Sequence, residues 1–302
     1  MKNKLPNFLI VGAAKSGTSS LHNYLSQHPD VFMPSYNADG MKVKEPRFLI
    51  KELVEGRLHN GVWNWEEYQS LFENVREEKS IGESTVLYLY YYELAIKNIK
   101  LRLGENVKII IMLRNPVDRA FSAYTHVARS LKENLTFEKA LAIEESRLLE
   151  DETLTPMVMY KDMGLYYNMV KAYLENFKDV HVLMYEDFQN NTEDVVEEAL
   201  AFLGVLKRAD LDTVSRHNVG GRSWKVPFLK QFFMEDNFMK KVLRFIFSKS
   251  LRKNFRNFIE FFLKEKAEPI NSNTKSQLVS FFREDIDKLE KLINVDLKDW
   301  KK

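Results

Sequence analysis

Two short stretches of the chain carry the residue types that handle anions. In "FLIVGAAKSGTSS", residues 8–20, an apolar run stops at Gly12, and a loop of small residues follows with one lysine, Lys15, and the hydroxyls of Ser16, Thr18, Ser19 and Ser20. "LHNYLSQHP" then reads as a helix. A strand, a glycine-containing loop with a lysine and a helix form the layout of a phosphate cradle, because the free N–H groups of a helix start favour an anion. In the second stretch, "IIIMLRNPVDRAFSAY", Arg114 stands at the end of the most apolar run and Ser122 lies eight residues on. That spacing is about two helical turns, so both can face one ligand from adjoining elements. The first loop is not a Walker A motif: its lysine precedes Gly17 instead of following it. A Walker nucleotidase also needs an acid after an apolar strand to hold Mg²⁺. Here an arginine stands in that place, which cannot ligate a cation but can fork onto a phosphate.

The elements that must position these residues read as α/β. "NFLIVGA" has a buried-strand pattern, and "NVKIIIMLRNP" is the strongest strand in the chain, as expected for a parallel strand covered on both faces. "KSIGEST" reads as a short strand and turn, and "DVHVLMYEDF" as a further strand. Helices are expected over "SSLHNYLSQHP", the amphipathic "GVWNWEEYQSLFENV", "YYELAIKNIKLRLG", "VDRAFSAYTHVARSL" after Pro116, and "NTEDVVEEALAFLGV". Alternating strands and helices imply one α/β domain over 1–302, with a central, mostly parallel sheet flanked by helices and a P-loop-like nucleotide site. The nucleotide-binding core is expected over about 7–225, and a helical C-terminal third over about 226–302.

"AKSGTSSL" together with "LRNPVDRAFSAY" resembles the sulfotransferases that use 3′-phosphoadenosine-5′-phosphosulfate (PAPS). Further segments resemble the same family: "VKEPRFL", "GVWNWEEYQSLF", "IGESTVLYL", "GLYYNMVKAYLENF" with "VHVLMYEDF", and the Gly- and basic-rich "RHNVGGRSWK". The resemblance spans roughly residues 7–225 and is nearest to the bacterial and heparan-sulfate-type enzymes. It implies that Lys15, Ser16, Gly17, Thr18 and Ser19 hold the 5′-phosphosulfate and that Arg114 and Ser122 hold the 3′-phosphate. Tyr185 would lie beside the adenine, and a loop with Gly221 and Arg222 would close over the nucleotide. It further implies transfer of a sulfuryl group to a hydroxyl or amine by in-line displacement, with release of adenosine 3′,5′-bisphosphate (PAP) and no metal. Lys15 would neutralise the departing phosphate. Glu45 aligns with a carboxylate base of the heparan-type enzymes, and Glu83 is the second candidate.

Several readings stay open on the sequence. Glu83 can equally be structural, Tyr185 can be packed core, and Tyr88, Tyr90, Tyr91 and Tyr92 can line an acceptor pocket or pack between helices. The six histidines form no ligand pair or triad, so surface or packing roles are expected. The Phe- and Lys-rich stretch 228–263 can be core, a lid or a membrane-surface contact; together with the loop at 34–46 it is expected to wall the acceptor site. Other classes are a kinase or NTPase with an unusual loop, or a silent nucleotide-binding module. The net charge of +2 calls for no nucleic acid, and the absence of cysteine excludes disulfides and Cys-ligated metal. The apolar run at the start is too short for a signal peptide or an anchor, so a cytoplasmic protein is expected. The acceptor is a small molecule, a lipid or a carbohydrate, and the oligomeric state is not legible.

Overall fold

The computed structural model describes residues 4–35, 43–129, 133–206, 211–213 and 268–302, with the backbone alone of 222–224 and 264–266. The expected pocket wall at 228–263, most of the loop after Ser35, and Gly221 lie outside the described residues.

The apolar runs form five strands: β1 (Phe8–Gly12), β2 (Val31–Phe32), β3 (Ser80–Ser84), β4 (Lys108–Leu113) and β5 (Val180–Met184). They lie in the order β2-β3-β1-β4-β5, and every pairing is parallel. Side-chain alternation along a strand sorts the core into two layers. Leu9, Val11, Ile109, Ile111 and Leu113 face one layer; Phe8, Ile10, Ile110 and Met112 face the other. The near-continuous hydrophobic run of β4 is therefore what a strand covered on both faces requires.

The second layer is closed by α1 (Thr18–Leu25) and by a later helix, α11 (Thr192–Leu203). The first is built from short helices: α2 (Lys51–Val54), α3 (Trp65–Ser70), α4 (Leu87–Tyr90), α5 (Tyr92–Arg102), α6 (Pro116–Ala128), α7 (Phe137–Ala142), α8 (Glu144–Glu150) and α9 (Tyr166–Asn176). The "YEDF" that the sequence reading attached to the last strand is instead the start of α10 (Tyr185–Asn190). Glu186 and Asp187 explain this, because acids in a first turn suit the positive end of a helix. β2 was not anticipated, since two residues carry no periodicity.

The last helix described, which we label α12 (Ser272–Ile293), packs on α9. Its Asp285 accepts from the N–H groups of Tyr166 (2.8 Å) and Tyr167 (3.2 Å), capping α9 from more than a hundred residues away. Trp300 is buried against the Tyr166 ring. The Tyr166 hydroxyl donates to the Arg114 carbonyl at 3.0 Å, so the C-terminal helix braces the turn after β4. Strand β6 (Arg222–Trp224) pairs antiparallel with β7 (Lys264–Lys266), and β6 lies against α6. No helix among the described residues is long and apolar enough to cross a membrane.

Candidate functional site

β1 is central, and the chain leaves it first toward β3 and later toward β4, so the sheet order reverses beside its carboxyl end. In open α/β sheets that crevice is where ligands bind. Both anion-handling stretches open into it. After Gly12 the chain turns through Lys15 (φ 72°) and Gly17 (φ 86°) into α1. Gly17 is the residue before the helix, and no side chain caps the helix start. The first N–H groups of a helix have no partner within it, so those of Thr18 and Ser19 are available to an anion. The Ser16 hydroxyl is fully buried and has no hydrogen-bond partner among the described residues, which fits a group that bonds a ligand oxygen.

Gly17 is fixed by two constraints. Its φ belongs to the left-handed region, and a Cβ there would stand 2.9 Å from the Tyr185 ring. That ring in turn lies under the Arg114 guanidinium, 4.6 Å from its centre. Arg114 also donates through Nη1 to the Lys15 carbonyl at 3.1 Å. One arginine thus ties the lysine loop to the turn after β4. Asn115 caps α6 by accepting from Val117 N–H (3.0 Å), Pro116 takes the first helical position, and Glu186 accepts from Asn115 N–H (2.9 Å). Ser122 sits half-buried on the second turn of α6. Strand β6, which begins at Arg222, lies against this helix.

Lys15 is strongly perturbed. Burial, then the cations Arg129 and Arg114, lower its pKa to about 8, while Glu45 pulls the other way. A cationic site that disfavours its own charge is primed for an anion. Glu45 lies within 3.4 Å of both Lys44 and Arg47 and keeps 19 % of its side chain exposed. Glu83 differs: it is fully buried, and its two oxygens accept from Tyr68 and Thr85 hydroxyls, each at 2.7 Å. Lys15, Arg114, Tyr185 and Gly17 adjoin one another, Glu45 lies within electrostatic reach of Lys15, and Glu83 is enclosed in a hydroxyl network. The four tyrosines after "GEST" pack on the core; Tyr90 bonds Asp162 at 2.7 Å.

Two residues that sequence reasoning passed over belong to this region. His126 and Arg129 follow Ser122 by four and seven residues on α6, and Arg129 Nη2 lies 3.3 Å from His126 Nδ1. His126 stands at an exposed position of α6; partial desolvation, then the charges of Lys15 and Arg129, lower its pKa below the ordinary imidazole value, so its ring is neutral near pH 7. The only sequence signal was that spacing from Ser122, which ordinary surface positions share.

A model of the sulfotransferase domain matches residues 5–220. The chain belongs to the sulfotransferase family. It is 31 % identical to a sulfotransferase from Alicyclobacillus acidocaldarius of known crystal structure, covering 99 % of this chain and 100 % of that one with a TM-score of 0.71. It is 26 % identical over 215 residues to the human bifunctional heparan sulfate N-deacetylase/N-sulfotransferase 3, covering 68 % of this chain and 23 % of that protein. Over 174 residues it is 28 % identical to the mouse heparan sulfate glucosamine 3-O-sulfotransferase 3A1, covering 58 % of this chain and 39 % of that protein. A membrane-associated sulfotransferase, kil1, of Dictyostelium discoideum is 32 % identical over 139 residues, covering 43 % and 25 %. The chain thus spans about a quarter to two fifths of the length of these curated relatives. The fold expected from the sequence is the fold of this family.

The packing of Gly17 gives a direct expectation. Gly17→Ala adds a left-handed backbone cost of about 1–2 kcal/mol and drives a methyl into the Tyr185 ring. PAP affinity measured by calorimetry should fall by about tenfold or more. An unchanged affinity would show that the sulfotransferase loop is not the nucleotide cradle.

Proposed function

We propose that this sulfotransferase moves a sulfuryl group from PAPS to an amine or hydroxyl, with Glu45 as the base. The observation that carries this reading is the Arg114 to Lys15 carbonyl bond, which joins two anion-binding loops at the switch point of the sheet. Lys15, the Ser16 hydroxyl and the N–H groups from Gly17 to Ser19 hold the 5′-phosphosulfate. Arg114 and Ser122 hold the 3′-phosphate, Tyr185 borders the base side, and Arg222, at the start of β6, would contribute with Gly221 to covering the nucleotide. In the reaction the bond from sulfur to the bridging oxygen breaks and a bond from sulfur to the acceptor atom forms. The acceptor proton goes to Glu45, and PAP leaves with its new negative charge against Lys15. No residue in this assignment calls for a metal. The names of the curated relatives favour a carbohydrate over a lipid or other small molecule as acceptor.

Replacing the base separates chemistry from binding. Glu45→Gln should lower transfer from PAPS by about a hundredfold or more, the usual scale of general base catalysis. PAP affinity should stay within about twofold, because Glu45 serves the acceptor. Full activity in Glu45→Gln would remove it as the base.

A further inference from the structure

Glu83 stands at the centre of an arrangement that the reaction scheme leaves unused. It lies on β3, fully enclosed, and burial pushes its pKa up to about 7. The titratable groups around it are Tyr68 from α3, Tyr88 from α4, Tyr173 from α9 and Glu45 from the neighbouring loop. An ionised carboxylate only accepts, so the Tyr68 and Thr85 hydroxyls must donate to it. The Tyr88 hydroxyl also bonds the carboxylate, and the Thr85 and Tyr88 oxygens then present lone pairs elsewhere. Thr85 Oγ1 accepts from Arg47 N–H at 3.2 Å, and the Tyr88 hydroxyl accepts from Leu49 N–H at 3.2 Å. Both N–H groups belong to the turn that directly follows Glu45 and Pro46. Arg47 is held there at φ 61°, a conformation that a non-glycine residue keeps only when its surroundings enforce it.

We propose that Glu83 is a positioning residue: it orients the Thr85 and Tyr88 hydroxyls as acceptors for the backbone of residues 47–49 and thereby fixes Glu45 beside Lys15. The consequence for reaction rests on Glu45 being the base; the ordering of the turn does not. A protonated Glu83, or a glutamine in its place, brings a donor into the cluster. One hydroxyl must then turn to accept, which re-aims its lone pairs and weakens the bond it accepts from a backbone N–H of the turn.

The test combines hydrogen exchange with release of sulfate from PAPS to water, the water oxygen replacing the bridging oxygen on sulfur. In Glu83→Gln, exchange over residues 45–50 should quicken by about tenfold, and sulfate release should fall by about tenfold. PAP affinity should stay within about twofold, which also shows that the variant is folded. Thr85→Val should reproduce the faster exchange and Thr85→Ser should restore it. Once corrected for intrinsic exchange, protection of this turn in the unsubstituted protein should rise from about pH 6 to 8 as Glu83 ionises, and should be flat in Glu83→Gln. If Glu83→Gln does not fold, the Thr85 pair decides the matter alone. If Glu45→Gln leaves sulfate release unchanged, the base assignment fails while exchange still reads the positioning. Unchanged exchange over 45–50 in both Glu83→Gln and Thr85→Val would overturn the proposal. So would a loss of sulfate release in the Glu45→Gln, Glu83→Gln double variant equal to the product of the single losses, because Glu83 would then act independently of Glu45.

Discussion

Lys15→Ala should lower sulfuryl transfer by about a hundred- to a thousandfold, because it removes a charge aimed at the phosphate as it departs. The same substitution should raise the melting temperature of the ligand-free protein. Lys15 is held at a pKa of about 8, against 10.5 for an ordinary lysine, with burial as the first cause and Arg129 the second. Between these values the unfolded chain binds more protons than the folded one, so this group's contribution to stability improves as pH rises through that window. At neutral pH the charged lysine is therefore a cost in the empty site, and alanine relieves it. Nucleotide binding reverses the sign, since a phosphate restores the charged form. PAP binding should take up protons just above pH 8, and affinity should decline above it. Both effects should vanish in Lys15→Ala, as measured by calorimetry in buffers of different ionisation enthalpy. Higher activity or a lower melting temperature in Lys15→Ala would contradict this role.

Arg114→Ala should weaken PAP by about ten- to a hundredfold, the scale of a lost charge-assisted hydrogen bond. It should weaken 5′-AMP far less, since only PAP carries the 3′-phosphate. Some loss for 5′-AMP is expected, because Arg114 also steadies the Lys15 carbonyl and lies on the Tyr185 ring. Arg114→Lys should not restore the affinity, as an ammonium cannot form the planar fork. Equal losses for the two nucleotides would take Arg114 out of the 3′-phosphate site.

Much of the scaffold was legible in the sequence because single residues impose it. The branched, uncharged run Ile109–Ile111 of β4 has few alternatives to a buried parallel strand, whereas the lysine loop alone could equally have been an ordinary strand-to-helix turn, and only its company with Arg114 and Ser122 favoured an anion cradle. The place of Pro116 in the first turn of α6 is equally local, while the Asn115 cap before it emerged only in the structure. What the sequence left unread depends on contacts between distant segments. Nothing near Asp285 indicates that it caps a helix beginning at Tyr166, or that the C-terminal helix braces the turn bearing Arg114. The sequence put Glu45 first and Glu83 second as the base, but could not tell an enclosed carboxylate from an open one. They differ in space, one closed in by hydroxyls and the other partly open beside Lys44 and Arg47. His126 and Arg129 became visible only when α6 placed them near Lys15.

The measurement closest to the central claim is transfer of labelled sulfur from PAPS in the presence of a chelator. Heparan-type saccharides with free amines and hydroxyls would be the first acceptors, followed by lipid and small-molecule panels, and products would be read by mass spectrometry. The account predicts one added sulfuryl group on an acceptor, matched by release of PAP, with no dependence on added Mg²⁺. Phosphoryl transfer from a nucleoside triphosphate that stops on chelation, with no sulfuryl transfer from PAPS, would contradict it.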